Sequence, residues 1–166
     1  MNDDIVISKY INHKKYKKIL LDLIEKDDGE IYNDGNDIIS KTDYFNKTIF
    51  LNEQNNNLFK EEFTNHLKNI FYNLYYEKIN VNQIWYQVYE KNNIHNWHTH
   101  SDCHWTNVYL LNSDMKTEIK NLKGNLIKYD VEEGDIITFP SYLYHRSPIN
   151  ESNKKRVIIS FNGAFE

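Results

Sequence analysis

Between residues 95 and 104 the chain reads His95-Asn96-Trp97-His98-Thr99-His100-Ser101-Asp102-Cys103-His104. Four of the seven histidines and a carboxylate fall in these ten residues. On both sides the composition turns aromatic and β-branched, in Gln83–Glu90 before it and Thr106–Leu111 after it. Such runs favour strands. The histidine-rich stretch is therefore predicted to join two strands of a β-domain, with imidazoles crowded at one end of it.

Working outward, Leu126–Tyr129, Ile136–Phe139 and Val157–Phe161 read as further strands. Gly124, the turn Glu132-Glu133-Gly134-Asp135 and Pro140 separate them. Several short strands at near-regular spacing predict a small barrel or sandwich. The first half differs. Tyr16, Ile19, Leu20, Leu23 and Ile24 recur at helical spacing from about residue 12 to 26, and Gly29 is expected to cap that helix. Phe59, Phe63, Leu67, Ile70, Phe71 and Leu74 form one apolar stripe over residues 57–77. Residues 30–57 are polar and are expected to be irregular, with strand pieces near Ile38-Ile39 and Thr48–Leu51. The expectation is an α+β, mainly β protein of one domain, residues 1–166. Residues 1–80 would be a mostly helical supporting region, and 81–166 the β core carrying the site.

Length and hydrophobic content (166 residues, 40%) suffice for one real core. A net charge of −4 argues against a dedicated nucleic-acid binder. The basic run His13–Lys18 is read as a solvated helix face. One cysteine, Cys103, excludes an internal disulfide and fits a reducing cytoplasm. No stretch approaches the roughly 20 apolar residues of a membrane span. Nothing in the sequence sets an oligomeric state.

In an extended segment alternate side chains share a face. His98 can thus join His100 on one point, and His100 can equally join Asp102. His145, beyond the Ile136–Phe139 strand, would complete three ligands from a second strand. Imidazole and carboxylate donors suit Fe(II), Zn, Ni or Cu. Arg156 opens an apolar strand, where its charge is costly unless paired. Arg156, Ile158 and Ser160 share one face of that strand. If it looks inward toward His145, the guanidinium offers a bidentate anchor for a carboxylate and Ser160 a hydroxyl. If Lys154-Lys155-Arg156 is a hairpin tip, the charge sits in solvent.

Together these residues resemble the Fe(II)- and 2-oxoglutarate-dependent oxygenases. The matching text is Tyr89, Trp97-His98-Thr99-His100, the strand Val108–Asn112, Gly134–Ser141, His145, Pro148-Ile149-Asn150, and Arg156 through Ser160-Phe161-Asn162. It covers roughly residues 83–164 and is most similar to small stand-alone members of marine bacterial and phage type, distantly like prolyl hydroxylases. The resemblance implies a double-stranded β-helix, a cupin-like jelly roll braced by helices. It implies His98, His100 and His145 as iron ligands, with Arg156 on the far carboxylate of 2-oxoglutarate and Tyr89 and Ser160 beside it. Two departures stand out. The usual second ligand is acidic, so either the set is all-histidine or the register shifts to His100 with Asp102. Ile158 stands where the family often has Ser, and Ser160 would substitute.

The implied reaction consumes O2 and 2-oxoglutarate, releases succinate and CO2, and hydroxylates a C–H bond of a peptidyl residue such as proline or of a small metabolite. Asp102, Asn96 and Asn107 are candidate partners for the ligands' free ring nitrogens. Trp85, Tyr86, Tyr89, Trp97 and Trp105 are candidates to stack on a substrate, at least half of them expected in the core. His95 and His104 are assigned to loop or supporting roles. Alkylated-base repair is disfavoured, because residue 162 is Asn where that branch has a second Arg. A cupin-like protein binding a metal or ligand without oxidation is the main rival, and it leaves Arg156 without a role. A structural zinc site is poorly served by one cysteine.

Overall fold

The computed structural model describes residues 5–46, 48–71 and 78–165. Among these residues, ten strands and three helices follow in the order β1 (Val6–Lys9), α1 (His13–Lys26), β2 (Glu30–Asp34), β3 (Asp37–Thr42), α2 (Thr48–Leu51), α3 (Glu53–Phe71), β4 (Ile79–Tyr89), β5 (His95–His98), β6 (Trp105–Leu110), β7 (Glu118–Ile119), β8 (Asp135–Pro140), β9 (His145–Ser147) and β10 (Arg156–Phe165). A seven-stranded sheet runs β1-β8-β6-β10-β4-β3-β2, and a three-stranded sheet runs β5-β9-β7. The strand pairs are antiparallel. The two sheets make the expected jelly roll, with α1 and α3 laid on the outer face of the larger one.

Period-2 alternation along the central strand β10 decides what faces what. Val157, Ile159 and Phe161 enter the core under the helices, where Phe161 stacks on Phe63 of α3 with ring centroids 4.3 Å apart. Ile158 enters a second core between the sheets, with Val108, Ile137 and Phe139. Arg156 and Ser160 share the parity of Ile158, so they too lie between the sheets. Gly163 lets α3 approach this closely, because a Cβ there would stand 2.9 Å from Leu67 Cδ1.

Four expectations are corrected. Residues 1–80 are not merely helical support, for β1, β2 and β3 all join the large sheet. The polar stretch before residue 48 holds a tight hairpin: Asp34 pairs with Asp37, and Gly35 supplies φ +60° at the first turn position, as a two-residue type II′ loop needs. Thr48–Leu51 is a short helix. Leu126–Tyr129 forms no strand beyond the Lys120–Leu126 bridge. Leu126 is exposed, and Tyr129 donates its hydroxyl to the Thr117 carbonyl, so the segment lies as an irregular arm over the inter-sheet core.

The helices depart from their predicted patterns in detail. α1 buries Tyr16, Leu20 and Ile24, but Ile19 is half exposed. It ends at Asp27 with extended backbone rather than at Gly29, whose amide donates to Asp27 Oδ2. The basic run is only partly solvated, since His13 Nδ1 meets the Tyr109 hydroxyl at 2.6 Å. α3 buries Phe59, Phe63, Leu67 and Phe71 as expected, and Leu74 lies outside the described residues.

Asp43 sets a pH test of this fold. The residue is 1% exposed; Oδ1 accepts the Tyr86 amide, and Oδ2 has no hydrogen-bond partner among the described residues. Burial raises its pKa from 3.8 to about 6. Between those values the native state holds more protons than the unfolded chain, so this group's contribution to stability falls as pH rises. Asp43→Asn removes the titration. Measured by urea unfolding, the stability of the variant relative to wild type is expected to grow by about 2 kcal/mol from about pH 4 to pH 7. A constant difference across that range would contradict it.

Candidate active site

β5 and β9 are antiparallel neighbours, and their register sets His98 opposite His145. Two residues past the end of β5, His100 is held by its amide donating to the Ser141 carbonyl. One ring nitrogen from each of His98, His100 and His145 lies within 4.8 Å of the other two. The ring centroids are 4.2 to 5.3 Å apart. Asp102 is not in this cluster. It is exposed, in left-handed backbone (φ +59°), and its carboxylate accepts from the Ser101 hydroxyl.

Each imidazole of the triad is oriented through Nδ1. His98 Nδ1 donates to the Asn96 carbonyl at 2.6 Å, and His145 Nδ1 to the Leu143 carbonyl at 3.0 Å. His100 Nδ1 donates to Asn162 Oδ1 at 2.8 Å, with the Thr106 hydroxyl 3.1 Å away. A proton held on Nδ1 leaves Nε2 with its lone pair, which is the form a metal takes. Burial lowers all three imidazole pKa values, that of His100 to about 4. The triad is thus neutral at pH 7, and no proton need leave when a cation binds.

Of the three candidate supporting residues, only Asn96 serves, through its main-chain carbonyl. Asn107 instead donates to the Phe161 carbonyl and accepts from Thr138, and Asp102 meets no ligand histidine. The Asn162 partner was not foreseen. Its signal was the same parity that turns Arg156 and Ser160 inward. His95, expected in a loop or supporting role, stacks its ring on His98 at 3.9 Å, beside the Gln87 amide, and burial lowers its pKa to about 3. His104 stays at the surface, where Nδ1 accepts the Phe165 amide.

Arg156 lies deeper, and only 1% of it is exposed. Its guanidinium donates to Ser147 Oγ and Thr117 Oγ1 and sits 5.3 Å from the centre of the Tyr89 ring. Among the described residues no carboxylate pairs with it and its Nε has no partner. Among the same residues the buried Tyr89 hydroxyl has no hydrogen-bond partner, and burial raises its pKa, so it stays a protonated donor. Ser147, Thr117, Tyr89, Ile158 and Ser160 line the same small space as the three histidines. Ser160 is there but donates to Gln87 Oε1. A buried guanidinium with no carboxylate partner among the described residues, near a metal-type triad, has the hydrogen-bond donors that a carboxylate would need.

A larger cavity of about 460 Å³, also lined by His98 and His100, opens to solvent. Of the five aromatic candidates only Trp85 lines it. Tyr89 lies by Arg156. Tyr86 is core, with its hydroxyl on Asp27. Trp97 is clasped by Lys120 and Arg146, and Trp105 packs on Phe71. The other rings of the cavity, Tyr32, Tyr44 and Phe45, come from the β2–β3 hairpin and the loop after it. Asp34-Gly35 between Ile31-Tyr32 and Ile38-Ile39 was the available signal, since Asp-Gly between apolar pairs marks a hairpin.

No curated protein sequence matches the chain. Residues 112–162 match the family described as "Putative 2OG-Fe(II) oxygenase". That stretch contains His145, Arg156, Ser160 and Asn162 but stops short of His98 and His100. Among solved structures, a 2OG-Fe(II) oxygenase family oxidoreductase from Burkholderia pseudomallei superposes with a TM-score of 0.73 at 12% identity, over 96% of this chain and 85% of that one. A Trichoplax adhaerens prolyl hydroxylase, solved with a hypoxia inducible factor peptide fragment, gives 0.72 at 11%, over 99% and 84%. A Pseudomonas putida prolyl-4-hydroxylase gives 0.66 at 11%, over 99% and 94%. The chain has the fold of the 2OG-Fe(II) oxygenases, and from residue 112 to 162 it carries their sequence pattern.

Proposed function

We propose that this protein is an Fe(II)- and 2-oxoglutarate-dependent oxygenase in which His98, His100 and His145 hold the iron and Arg156 binds the far carboxylate of 2-oxoglutarate. The observation that carries the reading is Arg156: fully buried, uncompensated by any carboxylate among the described residues, and donating to Ser147 and Thr117, which line the same recess as the triad. A cupin-like protein that binds metal without this co-substrate would leave that charge buried for no return. The donor set fits. Three neutral imidazoles suit a borderline divalent ion, and the Arg156 Nε and Tyr89 hydroxyl are spare donors for a carboxylate. Bound iron and 2-oxoglutarate supply the oxidising power: O2 is consumed, one oxygen atom enters a substrate C–H bond, and succinate and CO2 leave.

The chain's own residues orient and exclude. Asn162, Asn96 and Leu143 fix the ring orientations of the ligands through the Nδ1 bonds. Ile158 and Val108 add apolar walls to that recess, which lowers the local polarity and strengthens the pull of a nearby charge on an anion. About 20 Å³ of free space remains there. Admission of a five-carbon diacid therefore requires the recess to widen. The lone, partly buried Cys103 fits a reducing compartment such as the cytoplasm. Among the described residues no helix is long and apolar enough to cross a membrane.

Anaerobic addition of Fe(II) and then 2-oxoglutarate tests the reading. A visible charge-transfer band from co-substrate chelated at iron is expected. Iron that binds without any such band would refute the oxygenase assignment.

A further inference from the structure

Two regions of opposite charge adjoin the triad. One adjoins the buried guanidinium of Arg156. The other, the 460 Å³ cavity, holds two carboxylates, Asp37 and Asp102, and no Lys or Arg among the described residues. Neither carboxylate has a cationic partner among those residues. Asp37 Oδ1 accepts the Asn96 amide at 2.6 Å, which ties it to the strand that carries His98. Its other oxygen accepts no hydrogen bond among the described residues.

The same cavity is walled by a row of rings. Tyr32 meets Phe45 at 5.7 Å, Phe45 meets Tyr44 at 5.1 Å, and Tyr44 meets Trp85 at 5.3 Å between centroids. Trp85 in turn lies 5.5 Å from His100. The row runs from the mouth, where Tyr44 and Phe45 are 42% and 57% exposed, to the metal-type cluster. Ring faces attract cations, and unpaired carboxylates in a partly enclosed space do so more strongly. An anionic substrate would meet Asp37 and Asp102 without compensation. A neutral one would strip water from Asp37 and give nothing back.

We infer that the cavity selects a substrate bearing an alkylammonium group, held by Asp37 against the rings of Tyr32, Tyr44, Phe45 and Trp85, so that a C–H bond further along the molecule meets the triad. This deepens the oxygenase reading and rests on it for the chemistry, though not for the binding. The partition also keeps the two ligands apart, because the 2-oxoglutarate dianion is drawn to Arg156 and repelled from the Asp37 side.

Binding is measured by quenching of tryptophan fluorescence, on the protein as purified and again with Fe(II) and 2-oxoglutarate under anaerobic conditions. The probes are choline, its uncharged carbon isostere 3,3-dimethylbutanol, and anionic 3,3-dimethylbutanoate. Choline is expected to saturate the signal at least about tenfold more tightly than the isostere, with the anion weakest. Asp37→Asn keeps the Oδ1 acceptor for Asn96, and it is expected to abolish the preference for charge without shifting the melting temperature. Phe45→Leu, at an exposed position, is expected to weaken choline several-fold and leave the isostere unchanged. Butylammonium and a blocked lysine peptide then separate a free metabolite from a protein side chain, and saturable binding of either supports the assignment. Equal or tighter binding of the isostere or the anion overturns it, and so does the absence of any saturable response to choline or butylammonium at millimolar concentration. These outcomes do not depend on the charge-transfer band, so the two readings fail separately.

Discussion

Replacing Arg156 by methionine is expected to weaken 2-oxoglutarate binding about 100- to 1000-fold while leaving the co-substrate-free protein as stable as before, or more so. The two effects have one cause. A guanidinium 1% exposed, with a bare Nε and no carboxylate among the described residues, is a burden on the folded chain until an anion arrives. Methionine keeps most of the volume between the sheets and removes the charge. The two hydroxyl contacts from Ser147 and Thr117 are lost, but each hydroxyl can turn to another acceptor. Losing one partner of a buried charge pair costs about 2–5 kcal/mol of binding, which is the basis of the fold-change. Calorimetric titration of 2-oxoglutarate with a redox-inert divalent ion checks the first half, and urea unfolding without ligand checks the second. Unchanged affinity would remove Arg156 from the site. A loss of several kcal/mol of stability in the ligand-free protein would show that the arginine is a structural residue.

His100→Ala is expected to lower affinity for Fe(II) or Co(II) by more than the roughly 10–100-fold that loss of an outer partner costs. Asp102→Ala is expected to leave it within about threefold, as befits an exposed group outside the coordination shell. The geometric reason is the cluster: ring nitrogens of His98, His100 and His145 lie within 4.8 Å of one another, while the Asp102 carboxylate is exposed beside Ser101. Anaerobic metal titration of both variants, with circular dichroism to verify folding, decides it. Metal loss in Asp102→Ala with retention in His100→Ala would reverse the ligand register. An all-histidine set leaves the ion its full charge, so the 2-oxoglutarate dianion should bind far more tightly in the presence of metal than without it.

How much of this could be read beforehand varies with the range of the interaction that decides each element. The apolar stripes of α1 and α3 and the strands β4, β6, β8 and β10 follow from local periodicity, and the structure has them with small shifts at the ends. The hairpin β2–β3 was legible too, in Asp34-Gly35, but its polar surroundings masked it. The short strands β5, β7 and β9 were not. Each has two to four residues and is held by pairing with distant segments, and Ile119 and His145 meet across 26 positions. Nothing in their own sequence distinguishes them from loop.

The site divides the same way. His98, His100, His145 and Arg156 were named from residue type and spacing. Their grouping rests on a register, His98 opposite His145, that only closure of the small sheet creates. Asn162 was missed because its role exists only where β10 meets the loop after β5. Asn162 reaches His100 over 62 positions, and His95 joins the site by stacking on His98.

By itself the sequence determined the chemistry available to this protein: the imidazoles, one arginine on an inward-facing parity, and a β-rich frame to carry them. Side-chain type and alternation are local properties, so they survive without a fold. The tertiary structure alone decided which oxygen atoms hold each Nδ1, that Arg156 is buried without an anion, and that Asp37 and three aromatic rings from the supporting half wall the cavity. Those are facts of burial and long-range register. They arise when two sheets close over one another and remove water from groups far apart in the chain.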